Sequence, residues 1–291
     1  MATVKDLRER IRSLKNTQQI TKAMKQVAAA KIRRAEMAQK QARPYAATLS
    51  EMLHDLIAAV GSVDHPFLKP GTQEAPSGVV VMTADKGLAG AFNSNVTRAA
   101  EIYVRGASSV TYYAVGNKAR NFVRRLGVGE FAAWPLSAQP KIQVARELAA
   151  KVTEDFTSGK IRDIVLVSSR MVSMMQQRPE TRALVPITAG DLAGGDARDA
   201  ATVPRGAVEF SPSPEFVLSQ LLPKYLEFTL FSAMLETDAS FFAAQLLAMN
   251  NATENAGKLI DELTIKMNNA RQAAITKELL EVVSGAEALS V

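Results

Sequence analysis

The 291-residue sequence contains no cysteine, which excludes structural disulfides, cysteine-type zinc sites and thiol catalysis. Its two histidines, His54 and His65, lie among few other ligand types, so no metal site is expected. No apolar run reaches the roughly 18 uninterrupted residues of a membrane span. Lys224 and Glu227 interrupt the best candidate, near Leu218–Leu235. The opening stretch, MATVKDLRERIRSLKN, lacks the apolar core of a secretory signal and carries acids inside a helical pattern, unlike a transit peptide. The expectation is a soluble chain whose link to any membrane is indirect. Catalytic signatures are missing too: there is no G-x-S-x-G elbow, no H-E-x-x-H and no kinase-type set. Carboxylates such as Glu154 and Asp155 read as solvated helix-face groups, and neither an active site nor a cofactor is expected.

What is present is the balance of a folding protein, 47% hydrophobic and 22% charged. The net charge of +6 is unevenly placed. Residues 1–43 hold twelve bases against three acids, a local +9, while the other 248 residues carry 23 bases and 26 acids. The basicity is therefore assigned to one helix, which should seek an acidic partner.

From Val4 to about Val60 there is no glycine and one proline, Pro44, so the spacing predicts a long helix, kinked or divided at Pro44. Some 55 residues would reach roughly 80 Å at the rise of an α-helix. Val4, Leu7, Ile11 and Leu14 step as a coiled-coil seam, which Ile20, Met24 and Val27 resume beyond a polar break at Thr17–Thr21. Residues 61–78 are rich in Gly and Pro and read as a linker. Then β-branched or aromatic runs at 78–85, 109–116, 161–169 and 181–187 alternate with helical patterns at 88–105, 116–126 and 140–157. That alternation predicts an α/β domain with a mostly parallel, Rossmann-like sheet over 79–208, ending in a Gly-rich loop at 189–207. Helix returns from Pro214 to Leu289, its seam running through Leu259, Leu263, Met267, Ala270 and Ala274. Two long terminal helices with apolar seams pair most cheaply with each other. The expected fold is an antiparallel two-helix coiled coil (1–60 and 209–291) with the α/β domain inserted.

The segment TADKGLAGAFNSN, 83–95, sits where phosphate-binding loops sit, yet it matches neither common glycine fingerprint and reads as a tight strand-to-helix turn. Two rival readings stay open on composition. A coiled-coil nucleic-acid-associated protein would show salt-steep duplex affinity, and an α/β enzyme with helical arms would bind nucleotide alone.

Several local sequences decide between them. The C-terminal pattern I/V-T-x-E-x-x-D/E-x-x-x-G-A is met at Ile275, Thr276, Glu278, Glu281, Gly285 and Ala286. With RIRSLKNTQQITKAMKQVAAAKIRRAE at 10–36, ARPY at 42–45, TADKGLAGAFN at 83–93, LLPKY at 221–225 and AMNNATENA at 248–256, it resembles the gamma-subunit family of the rotary proton-driven ATP synthases. The resemblance implies a non-catalytic central-stalk rotor, one copy per complex, with no nucleic acid bound. Its partners would be three alpha and three beta subunits, the epsilon subunit and the membrane c ring, on the cytoplasmic face of a bacterial inner membrane. By position, Arg271 and Gln272 match the pair that meets a catch loop of the ring, and Lys22, Met24 and Lys25 match the stretch facing an acidic motif of the beta subunit. Two departures stand out: Phe241 and Gln245 replace the family's Glu and Arg, and Ser211 stands where an acidic c-ring contact is expected.

Overall fold

The structure is a computed structural model, and it describes residues 3–60, 65–187 and 213–289. The chain divides into two compact units, one of residues 1–28 with 245–291 and one of residues 29–244. Two long helices run through this division, α1 (Val4–Val60) and α5 (Pro214–Leu289). Each is a run poor in glycine and proline, with Pro44 inside α1 and Pro223, Gly257 and Gly285 inside α5. Pro44 neither ends nor divides α1, and it lies on an exposed face.

In the larger unit, strands β1 (Ser77–Met82), β2 (Val110–Val115), β3 (Ala132–Trp134), β4 (Ile164–Ser173) and β5 (Gln176–Val185) form one sheet of order β3-β2-β1-β4-β5. The first four are parallel and β5 is antiparallel to β4. The connecting helices are α2 (Phe92–Arg105), α3 (Asn117–Arg125) and α4 (Lys141–Thr157). This is the expected inserted α/β domain between long terminal helices, with two additions. The sequence reading has no β3, and β4 and β5 extend into a hairpin through the 170–178 region.

Strand alternation sends side chains to both faces of the sheet. Val79, Val81, Tyr112, Ala114 and Val167 pack under α2 and α3. Val80, Met82, Tyr113, Val115 and Leu166 face a larger core closed by α4, by Leu53 and Leu56 of α1 and by Leu218, Leu222, Leu226 and Leu230 of α5. Each fully buried leucine contributes about 2 kcal/mol of apolar transfer energy, so this face dominates the unit's stability. Gly116 shows how tightly the β2-to-α3 turn is drawn in. Its φ is +88°, and an added Cβ would lie 2.2 Å from the Thr83 carbonyl, so no other residue fits.

Of the stretch expected as a linker, 61–64 lie outside the described residues, as does the expected loop at 189–207 with Ser211. The remainder of the linker stretch is built into the fold: Phe67 is buried, and Ser77 and Gly78 already belong to β1. His65 caps a short 3-10 helix (Pro66–Leu68), its Nδ1 accepting from Phe67 N–H at 3.1 Å. Burial lowers its pKa.

Asp155 is a correction. It is buried rather than solvated, accepting from the Tyr113 hydroxyl at 2.8 Å and pairing with Lys151 at 3.1 Å. Burial pushes its pKa up, but the Tyr113 bond and the Lys151 charge outweigh that and hold it below the usual carboxylate range. A buried charge survives only with such partners.

Candidate functional site

The smaller unit is a helix pair, and its polar contacts fix its direction. Gln18 lies by Gly257, Thr21 by Thr253 and Lys25 by Asn250, so one number rises as the other falls and the helices run antiparallel. On α1 the buried side is Leu7, Ile11, Thr21 and Ala28, with Leu14 and Gln18 half-buried between. That is a steady three-and-four stepping straight through the polar stretch. The expected resumption at Ile20 and Val27 is therefore wrong: these residues are 60% and 54% exposed. Constant helical phase overrides the choice of the most apolar residue. On α5 the corresponding side is Met249, Thr253, Ala256, Ile260, Leu263 and Met267, and Leu259, one residue out of phase, is exposed.

Within the polar break, Gln18 and Thr21 face the partner helix, while Thr17, Gln19 and Ile20 are exposed. Thr253 Oγ1 donates to Thr21 Oγ1 at 2.8 Å, and Thr21 Oγ1 donates to the Gln18 carbonyl at 3.0 Å. Gly257 leaves room for the Gln18 amide, which would stand 3.1 Å from a Cβ there. The signal that would have found this layer is the uninterrupted stepping Leu14, Gln18, Thr21.

With Thr21 opposite Thr253, the same stepping sets Leu7 against Met267 and Val4 against Ala270. Beyond that point α5 is alone among the described residues: every residue from Arg271 to Ser284 is exposed. Ala274, expected in the seam, is in this stretch. The tip is nonetheless apolar, with Ile275, Leu279, Leu280, Val282 and Val283 each 49–69% exposed. Arg271, Gln272, Thr276, Glu278 and Glu281 share it, Glu281 pairing with Lys277 at 3.6 Å. Gly285 and Ala286 continue the same helix.

Lys22 and Lys25 are exposed and Met24 is half-buried. Lys25 also makes one bond across the pair, its Nζ donating to Asn250 Oδ1 at 2.6 Å. Asn250 precedes Arg271 by about 30 Å of helix rise, so the two groups of expected contact residues are separate places on the pair.

The turn after β1 is occupied by the chain's own groups. Asp85 accepts from the Asn117 N–H at the start of α3 at 2.8 Å and from the Leu136 and Ser137 N–H groups after β3 at 3.2 and 2.7 Å, so donors that an anion could use there are already taken. Beside it, Phe241 and Ala244 of α5 pack with Ala84, Ala89 and Phe92. The Phe241 and Phe92 ring centroids are 5.8 Å apart. In a doubly wound sheet this crevice, at the ends of β1 and β4 where strand order reverses, is the usual ligand site. Here the phenylalanine that departs from the resembled pattern fills it. Phe242 lies under the Lys31 ammonium at 5.3 Å.

Basicity is not confined to α1. Residues 86–130 carry seven cations against Glu101 and Glu130. The whole-chain balance hides this second basic region.

Comparison with known proteins bears on both units. The family model described as ATP synthase matches residues 3–289. An ATP synthase gamma chain from Heliobacterium modesticaldum is 43% identical over 99% of this chain and all of the relative. Among solved structures, a chain of the Euglena gracilis mitochondrial ATP synthase superposes with a TM-score of 0.66 at 20% identity, over 98% of this chain and 94% of that one. A chain of the Tetrahymena thermophila mitochondrial ATP synthase central stalk and c ring gives 0.56 at 23% identity, over 80% of this chain and 99% of that one. These structural likenesses establish the fold, and the sequence match establishes the lineage. The chain belongs to the ATP synthase gamma chain family.

Proposed function

We propose that this chain is the central-stalk rotor of an ATP synthase, carrying torque between a membrane c ring and a hexamer of three alpha and three beta subunits. One copy serves each complex, with the epsilon subunit beside it, and proton flow is coupled through it to ATP synthesis or hydrolysis. The observation that carries this reading, given the family, is the α5 tip: fourteen consecutive exposed residues, 271–284, rich in aliphatics that nothing else described in the chain covers. Exposed apolar stretches of this kind mark surfaces that a partner covers. In this reading the tip turns within the hexamer, Arg271 and Gln272 engage its catch loop, and Lys22, Met24 and Lys25 face an acidic motif of the beta subunit. Arginine suits the first role because its planar fork bonds a carboxylate in two places.

The chain holds no catalytic site of its own; nucleotide and catalytic residues belong to the partner subunits. Among the described residues no helix is long and apolar enough to cross a membrane. The proposed location is the cytoplasmic face of a bacterial inner membrane, reached through the c ring. Reconstitution tests the reading: mixed with alpha and beta subunits, the chain should yield an ATPase-active complex containing one copy of it. Failure to join such a complex, with both partners competent, would overturn the proposal.

A further inference from the structure

Where the larger unit carries cations on α4 and its surroundings, it pairs them. Lys141 meets Asp238 at 2.7 Å, Lys151 meets Asp155 at 3.1 Å, Arg162 meets Asp163 at 3.2 Å and Arg146 meets Glu227 at 3.3 Å. The α2–α3 layer is treated differently. Arg98 and Arg105 on α2, and Lys118, Arg120, Arg124 and Arg125 on α3, are all exposed, and none has an ion-pair partner among the described residues. The layer has one inner face, because Val96, Ala100, Phe122 and Val123 pack together on the sheet. With the exposed Glu101 the one acid on either helix, these six cations give the layer a net charge of +5.

Two further features narrow what would balance that charge. Five of the six are arginine, whose fixed fork favours carboxylate or phosphate and is less strongly hydrated than an ammonium. Among them stand two exposed aliphatics, Ile102 at 65% and Leu126 at 45%. A mixture of arginine and aliphatic side chains suits a protein interface, where apolar contacts are ringed by polar ones. No phenylalanine or tryptophan is exposed on these two helices, so the layer offers neither a stacking platform for unpaired bases nor the aromatic anchors of an interfacial membrane helix.

We propose that the outer face of the α2–α3 layer is a docking surface for the acidic face of a partner protein, its carboxylates bonding the α3 arginines while its aliphatics cover Ile102 and Leu126. This is a second acidic contact, distinct from that of the basic N-terminal helix.

Because the chain has no cysteine, Ile102→Cys gives one thiol on this surface for an environment-sensitive dye. The labelled full-length chain would be titrated with a short Glu/Leu peptide, with duplex DNA of equal charge, and with phosphatidylglycerol vesicles. The peptide should give a saturating dye response, and its half-saturation should rise at least ~10-fold in R120E/R124E/R125E. R120Q/R124Q/R125Q, which adds no acid, should fall between. R8E/R10E/R12E, which changes only α1, should leave the response in place. A silent dye, a response unaltered by the α3 substitutions, or tighter binding of DNA or vesicles than of the peptide would overturn the proposal.

Discussion

Helix α5 is apolar over two successive stretches that meet opposite fates. Between Met249 and Met267 it lays Ala256 and Ile260 against α1, both buried, with a bonded threonine pair at Thr21–Thr253. Between Arg271 and Ser284 it carries at least as many large aliphatics, and all are exposed. Hydrophobic content thus does not decide burial here; the reach of the partner helix does. The first stretch works for the chain's own stability, and the second is free to work on something else.

That contrast fails first if the seam proves dispensable. Ile260→Ala should cost about 2–3 kcal/mol, because it deletes buried methylenes at a packed position. A urea melt of the full chain followed by helical circular dichroism measures it, and a loss below ~0.5 kcal/mol would show that the pair is not held by its seam. A smaller effect sharpens the account at the polar layer. Thr253→Val alone takes away the donor to Thr21 Oγ1, leaving that hydroxyl only its bond to the Gln18 carbonyl, and should cost roughly 1 kcal/mol, whereas Thr253→Val with Thr21→Val should return close to the parent, since the lone hydroxyl is then gone as well. Additive losses in that double variant would mean the two hydroxyls do not act as a pair.

The smallest effect on stability is expected at the tip. Arg271→Ala should shift the melt by less than ~0.5 kcal/mol, as exposed helix positions do. In a reconstituted complex the same change should weaken hexamer engagement about tenfold or more, the scale of a lost charge-assisted bond. A variant that melted several degrees lower yet coupled normally would place Arg271 in the fold rather than in the partner contact.

Much of this arrangement was readable before any coordinates. The bounds of α1 and α5 follow from glycine-poor runs closed by Gly, Pro and small polar residues, and the alternating β and α periods give the inserted sheet. What escaped did so for identifiable reasons. Counting apolar residues selected Ile20 and Val27, while the geometry of two helices in contact held the phase at Gln18 and Thr21. Strand β3 has only three residues, two of them alanine, so local propensity carries almost no signal. Asp155 looked like any surface carboxylate because its buried partner Tyr113 lies 42 residues away in sequence. The basic α3 layer was masked by acids distributed over the rest of the chain. The Phe241 plug was visible as a departure from the resembled pattern, but only the sheet's switch point gives it a place to go.

The central claim is that the α5 tip is apolar for a partner and not for its own fold, and a single thiol tests it most directly. Leu280→Cys, the only cysteine in the chain, should react with a maleimide at the rate of an exposed thiol when the chain is free, and should become strongly protected once alpha and beta subunits have assembled around it. Equal reactivity in the free chain and in the ATPase-active complex would contradict the account.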